Sequence, residues 1–231
     1  MAYFWELCDL KDSEDTPLLI QAAGLSLQNS EYVLVGGIPS SHYFDLDQFL
    51  RVKNYAAQLV ELLVKKIHEL KNSPTYSFNK IALIDKGEGG PVGLILLMGL
   101  LSSKLEEEIV IIRPKRLLLR ASIKGTINDG DKFLILSDVA TTGRTIFLAY
   151  EKINAFGGVV PLSLVVFDRR QGATQNLFVK GIQLLSLTSI PSLIKDRKDE
   201  IENEFHRKIK EVPQEMLLDF SGRSRTIASA V

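Results

Sequence analysis

The stretch Phe133-Leu134-Ile135-Leu136-Ser137-Asp138-Val139-Ala140-Thr141-Thr142-Gly143-Arg144-Thr145 decides the fold. Four consecutive apolar residues lead to an acid, then to a small hydroxyl-rich loop with a glycine, then to a helical pattern over 145–156 closed by Gly157-Gly158. A continuous apolar run, without polar alternation, suits a strand covered on both faces, as in a parallel sheet. Ligands bind at the C-terminal edge of such sheets. The backbone N–H groups of residues 141–145 would point outward at a helix N-terminus, where with the hydroxyls they form a cradle for one phosphate. Asp138, an acceptor at the strand end, is placed to take hydrogen bonds from sugar hydroxyls. The plainer alternative is an N-capped helix after a core strand, with Asp138 satisfying the turn.

The flanking sequence repeats the theme. Apolar runs at 81–84, 109–112 and 162–167 predict further buried strands, and 182–187 predicts one more. Helical segments at 92–101 and about 174–179 lie between them. Strands alternating with helices argue for a right-handed βαβ sheet. Upstream, Tyr32-Val33-Leu34-Val35, a turn at Gly36-Gly37-Ile38-Pro39, and His42-Tyr43-Phe44-Asp45 predict a hairpin. After Asp47, a good N-cap, Phe49, Val52, Ala56, Leu59, Leu63, Ile67 and Leu70 recur in steps of three and four and define one helical face. The first 30 residues read as a helical lead-in. Residues 195–211 carry six positive and six negative side chains around Ile201, Phe205 and Ile209, which predicts a surface helix with one apolar stripe. The expected organisation is an N-terminal segment and hairpin over 1–47, an α/β core over 48–195, and a charged helix and tail over 196–231.

Composition excludes several classes. At 231 residues, 45% apolar and 24% charged, the chain is an ordinary globular one, with neither a disordered nor a coiled-coil signature. Twenty-eight basic side chains balance 28 acidic ones, so no global charge recruits nucleic acid or an anionic membrane. The longest apolar run, 92–101, is about half of the roughly 20 residues that a transmembrane helix needs. The N-terminus turns acidic where a signal peptide would be apolar. Cys8 is the single cysteine, which excludes an internal disulfide and a CxxC zinc site and points to a reducing, cytoplasmic setting. His68 and His206 have no neighbours at metal-ligand spacing.

The Asp138–Thr145 segment resembles the phosphoribosyl pyrophosphate signature of type I phosphoribosyltransferases, and the wider pattern is most similar to the orotate phosphoribosyltransferase family. Ser40-Ser41-His42-Tyr43-Phe44-Asp45-Leu46 resembles that family's segment beside the base. Asp85-Lys86-Gly87-Glu88-Gly89-Gly90 resembles its pyrophosphate loop. Phe167-Asp168-Arg169-Arg170-Gln171-Gly172 resembles the strand end whose arginine holds the orotate carboxylate. The similarity spans about residues 16–195.

The resemblance implies a mainly parallel central sheet flanked by helices, with a small N-terminal hood. It implies an enzyme joining orotate, or a related base, to phosphoribosyl pyrophosphate with release of pyrophosphate, in pyrimidine nucleotide biosynthesis. Phosphoribosyl pyrophosphate contacts would fall on Ser137, Asp138, Ala140, Thr141, Thr142, Gly143, Arg144 and Thr145, on Glu88, Gly89 and Gly90, and on Arg113. Tyr43, Phe44, Thr141 and Arg169 would hold the base, and Asp138, Lys115 and Arg116 would serve catalysis. Mg²⁺ is the implied cofactor, with no direct protein ligand assigned, and a homodimer is the implied assembly.

This chain departs from the family pattern at three places. Ser137-Asp138 stands where the signature has two adjacent acids, and Val35 stands where a basic residue precedes the hairpin turn. The segment 113–125 keeps five cationic residues (Arg113, Lys115, Arg116, Arg120 and Lys124) but has Leu117-Leu118-Leu119 and no histidine where the family's mobile loop carries a lysine- and histidine-bearing pattern. These departures leave a second class open, a non-catalytic protein of this fold that senses phosphoribosyl pyrophosphate or a nucleotide.

Overall fold

A computed structural model describes residues 53–85, 93–114 and 122–189, with 32–33, 39–40, Leu46 and Leu50 besides. Its centre is a six-stranded sheet. The strands are β3 (Lys80–Ile84), β4 (Glu108–Ile112), β5 (Ile123–Lys124), β6 (Lys132–Ala140), β7 (Val159–Asp168) and β8 (Gln183–Ser189), after a small antiparallel pair, β1 (Tyr32–Val33) and β2 (Pro39–Ser40). Strand order in the large sheet is β5-β4-β3-β6-β7-β8, parallel throughout except for β5. The four described helices are α1 (Lys53–Lys71), α2 (Gly93–Leu101), α3 (Arg144–Asn154) and α4 (Ala173–Phe178).

The apolar runs are strands because both of their faces are covered. On one side, Leu59, Leu63 and Ile67 of α1 and Leu97 and Leu101 of α2 pack with Ile81, Leu83, Leu134, Leu136 and Leu164 of the sheet. On the other, Ile146, Ala149 and Ile153 of α3 and Leu177 of α4 pack with Ala82, Ile84, Phe133, Ile135 and Val165. Two apolar cores thus sandwich the sheet, which is why β3 is buried at every position. The one polar side chain inside central β7, Ser163, donates its hydroxyl to the carbonyl of Ile135 at 3.1 Å and so satisfies its own donor in the core. None of the described helices is long and apolar enough to cross a membrane.

Several sequence expectations need adjusting. β6 runs on to Ala140, two residues past Asp138, so the strand end carries Asp138 as expected and extends into Val139 and Ala140. Pro39, expected in the hairpin turn, is already paired: Tyr32 lies opposite Ser40 and Val33 opposite Pro39, while His42–Asp45 lies outside the described residues. The 113–125 segment is not loop throughout: Ile123–Lys124 pairs antiparallel with Ile111–Ile112 and makes β5. Ser122 and Pro114 are buried at its two ends. Asp47, Phe49, Val52, the lead-in helix and the 196–231 region lie outside the described residues.

Candidate functional site

Chain order fixes where the crevice lies. From β3 the chain passes to one side to make β4, then returns to make β6 on the other side of β3. The loops leaving β3 and β6 therefore diverge at their C-terminal ends, which is the ligand-binding position in open α/β sheets. Asp85 ends β3, residues 137–145 end β6 and open α3, and Asp168 with Arg169 and Arg170 ends β7. Parallel register brings these together: Ala140 lies opposite Asp168, and Asp168 opposite Ser189.

The loop after β6 leaves a helix end without an internal partner. Gly143 occupies the N-cap of α3 in the left-handed region at φ 80°, and no side chain caps the helix. No acidic residue occupies the first turn, and its first residue is the exposed Arg144. Helix N-termini carry unsatisfied N–H groups and a partial positive charge, and most are capped by Ser, Thr, Asp or Asn. Here a cation stands where an anion is expected. Such an end suits an external anion. Gly143 is required twice over. Its φ is favourable only for glycine, and a Cβ there would come within 3.0 Å of Leu177 Cγ on α4.

Asp138 and Ser137 are both buried, Asp138 at 4% exposure, and the Ser137 hydroxyl donates to Asp138 Oδ1 at 3.1 Å. That bond turns one carboxylate oxygen toward the serine and holds the side chain in one orientation. Ala140 is buried, Thr141, Thr142 and Thr145 are half-buried, and the Ala140 carbonyl accepts the Arg169 backbone N–H at 2.9 Å. The β6 and β7 loops are thereby tied to each other.

Around Arg169 the backbone is under strain. Arg170 has φ 55°, which is costly for a residue with a Cβ. Asp168 holds it there: its Oδ1 accepts the Arg170 N–H at 2.8 Å, and its Oδ2 lies 3.4 Å from Arg170 Nε. Arg169 itself is only 2% exposed, so its guanidinium sits within the protein rather than on the surface.

Arg113 at the end of β4 donates through Nε to Asp85 Oδ2 at 2.6 Å, and its backbone N–H bonds the Ser122 carbonyl. Of the expected cations, Arg113 thus meets a buried carboxylate, while Lys124 lies exposed on β5. Glu88, Gly89, Gly90, Tyr43, Phe44, Lys115 and Arg116 lie outside the described residues. The structure also brings in a residue that sequence reasoning passed over, Asn176 of α4, whose side-chain N–H donates to the Thr142 carbonyl at 2.8 Å. Separated by 34 residues, the two carried no local signal.

No protein-family model matches the chain. It is 30% identical to the orotate phosphoribosyltransferase of Methanococcus maripaludis over 168 residues, covering 71% of this chain and 84% of that protein. It is 31% identical to the orotate phosphoribosyltransferase of Sulfurisphaera tokodaii over 169 residues, covering 71% of this chain and 78% of that one. In structure it is similar to the orotate phosphoribosyltransferase of Aeropyrum pernix, with TM-score 0.60, 24% identity, and coverage of 78% of this chain and 98% of that one.

Proposed function

The chain belongs to the orotate phosphoribosyltransferase family, and from that premise we propose how its own residues carry the reaction. The protein is a phosphoribosyltransferase of pyrimidine nucleotide biosynthesis, joining orotate to phosphoribosyl pyrophosphate with release of pyrophosphate. A bond forms between a ring nitrogen of the base and C1′ of the ribose, and that nitrogen gives up its proton to the departing pyrophosphate or to water. The C1′–O bond to pyrophosphate breaks, and its electron pair departs with the leaving group. Positive charge develops on the ribose, negative charge on pyrophosphate. Catalysis then rests on positioning and electrostatics, with no nucleophile from the protein.

The observation that carries the assignment is the uncapped, Arg144-bearing N-terminus of α3 at the point where strand order reverses. The 5′-phosphate takes the N–H groups of residues 141–145, and the Thr141, Thr142 and Thr145 hydroxyls add donors. Asp138, oriented by Ser137, accepts the ribose hydroxyls. Arg169 takes the carboxylate of the base, its planar fork matching two carboxylate oxygens. The resemblance assigns pyrophosphate to Glu88, Gly89 and Gly90, the faces of the pyrimidine to Tyr43 and Phe44, and charge neutralisation of the leaving group to Lys115 and Arg116.

Mg²⁺ fits this donor set as an ion carried by the substrate. Asp85 and Asp168 are engaged by arginines, and among the described residues no cluster of three His, Cys, Asp or Glu could hold a metal. Asp138 is the carboxylate at the ribose end, and Mg²⁺ is commonly held by one or two carboxylates plus phosphate oxygens. When bound, the ion supplies charge neutralisation on pyrophosphate. We assign the working form as a homodimer in the cytoplasm, the lone Cys8 suiting a reducing compartment.

The test is pyrophosphate release from phosphoribosyl pyrophosphate and Mg²⁺ with a panel of bases. Turnover with orotate and not with purines is expected. Tight binding of phosphoribosyl pyrophosphate with no turnover on any base would replace the enzyme with a sensor.

A further inference from the structure

We propose that Asn176 is a positioning residue for phosphate binding, acting through the Thr142 carbonyl; the inference rests on the reading of residues 141–145 as the phosphate cradle. Asn176 lies on α4, is 8% exposed, and donates from Nδ2 to the Thr142 carbonyl at 2.8 Å. Its own backbone N–H is satisfied by the Gly172 carbonyl at 3.0 Å. The side-chain bond is therefore not part of the helix ladder but a strut from α4 to the loop.

Peptide geometry gives the strut its consequence. The unit joining Thr142 to Gly143 is planar and trans, so its C=O and N–H point in opposite directions. Drawing the Thr142 carbonyl toward α4 turns the Gly143 N–H away from α4. Gly143 is the N-cap of α3, with no capping side chain of its own, and its carbonyl already accepts the Phe147 N–H at 2.9 Å. One end of Gly143 is thus set by the helix and the other by Asn176. Rotation of the peptide plane is the remaining soft motion of a loop whose glycine resists few backbone angles, and the Asn176 bond blocks it.

The packing beneath supports the same reading. α4 sits close enough to the loop that a Cβ at Gly143 would stand 3.0 Å from Leu177 Cγ and 3.4 Å from Ala173 Cα. Leu177 and Ala173 therefore fix how near the loop lies, and Asn176, between them in sequence, fixes how its peptide is turned. Apolar contact alone sets distance but not the direction of a carbonyl.

The experiment compares wild type, Asn176→Leu and Asn176→Gln. Ribose 5-phosphate binding is measured by calorimetry, the Michaelis constants for phosphoribosyl pyrophosphate and orotate by steady-state kinetics, and folding by thermal unfolding. Asn176→Leu should bind ribose 5-phosphate about tenfold more weakly, the scale of one lost hydrogen bond and its orphaned carbonyl. It should raise the Michaelis constant for phosphoribosyl pyrophosphate by a similar factor and leave that for orotate within about twofold. Asn176→Gln, which keeps the amide, should recover most of the affinity. Where Asn176→Leu does not fold, Asn176→Ala removes the same donor without a branched side chain. Unchanged ribose 5-phosphate affinity in a folded variant that lacks the donor overturns the inference and leaves the phosphate cradle standing. Equal changes in both Michaelis constants, or a lowered melting temperature with unchanged affinity, overturn it too. Failure of wild type to bind ribose 5-phosphate overturns the cradle itself.

Discussion

Arg113 Nε and Asp85 Oδ2 stand 2.6 Å apart, joining the C-terminal ends of neighbouring strands β4 and β3. Asp85 is buried, and the Arg113 side chain is about a third open to water. From these two residues the chain enters the two segments assigned to pyrophosphate, 86–90 and 115–121. The pair therefore sets the spacing of both segments' roots and spends the charge of Arg113 on a carboxylate. A double-mutant cycle of Arg113→Gln and Asp85→Asn in urea should return a coupling of about 1.5–3 kcal/mol, the range for a hydrogen bond to a charged partner. Additive losses would show the pair to be passive. Arg113→Gln should also lower stability, because it takes the guanidinium away from a buried carboxylate.

Asp138→Asn should weaken ribose 5-phosphate binding on the order of 10- to 100-fold with little loss of stability. Ser137→Ala removes only the bond that orients the carboxylate, so its effect should be smaller, about threefold. Calorimetry orders the two variants. A larger loss in Ser137→Ala would make the serine hydroxyl the ligand and Asp138 its support.

Arg169→Ala should raise the Michaelis constant for orotate by tenfold or more, with that for phosphoribosyl pyrophosphate nearly unchanged. Because the Arg169 side chain is buried, with the residue 2% exposed, this variant should also lower the melting temperature, unlike a surface arginine. Equal effects on both substrates would remove Arg169 from the base subsite.

What could be read in advance follows the range of the interactions. The runs that became β3, β6 and β7 were legible because burial on both faces leaves an unbroken apolar signature, and β4 carries the same signature although its Ile109 and Ile111 are only half-buried. The α1 stripe was legible because Leu59, Leu63, Ile67 and Leu70 repeat with the helical period and are buried. The loop from β6 into α3 was legible because its glycine and threonines are contiguous and follow an unbroken apolar run. β5 was not, since Ile123–Lys124 is a strand only through its pairing with Ile111–Ile112. The pairing of Pro39 was not legible, because a loop containing both Gly and Pro does not fix where pairing resumes. The Arg113–Asp85 pair, the Asn176 strut and the strain at Arg170 depend on elements that meet only after folding. Local pattern carries no trace of them.

The last prediction concerns the sheet edge opposite the ligand crevice, where Lys80 begins β3. Lys80 Nζ lies 2.9 Å from Glu108 Oε2 and 3.0 Å from Asp131 Oδ2, and donates to the Thr126 carbonyl at 2.8 Å. Asp131 Oδ2 also accepts the Asn128 backbone N–H at 2.7 Å. Burial pulls the Lys80 ammonium down, but its bonds to Glu108 and Asp131 outweigh that and hold it above 10.5. The Asn128 N–H, against the cost of burial and with help from Lys80 and Asn79, holds Asp131 below 3.8. The two groups contribute stability in different windows. A lowered carboxylate stabilises fully above its unfolded value and loses that contribution as pH falls through its folded one; a raised ammonium stabilises fully below its unfolded value and loses it as pH rises through its folded one. Asp131→Asn should therefore cost about 1–3 kcal/mol at pH 7, and the gap from wild type should close as pH falls below about 4. Lys80→Met should cost about 1–3 kcal/mol at pH 7, because it removes the cation from Asp131 and from the half-exposed Glu108, and its gap should close only above pH 10.5. Urea unfolding of the three proteins across pH reads both limbs. A gap that stays constant with pH in either variant would show that packing, not charge, is what that side chain contributes. Since this edge lies at the far end of the strands from Asp138 and Arg169, turnover per folded molecule should be the same in both variants as in wild type.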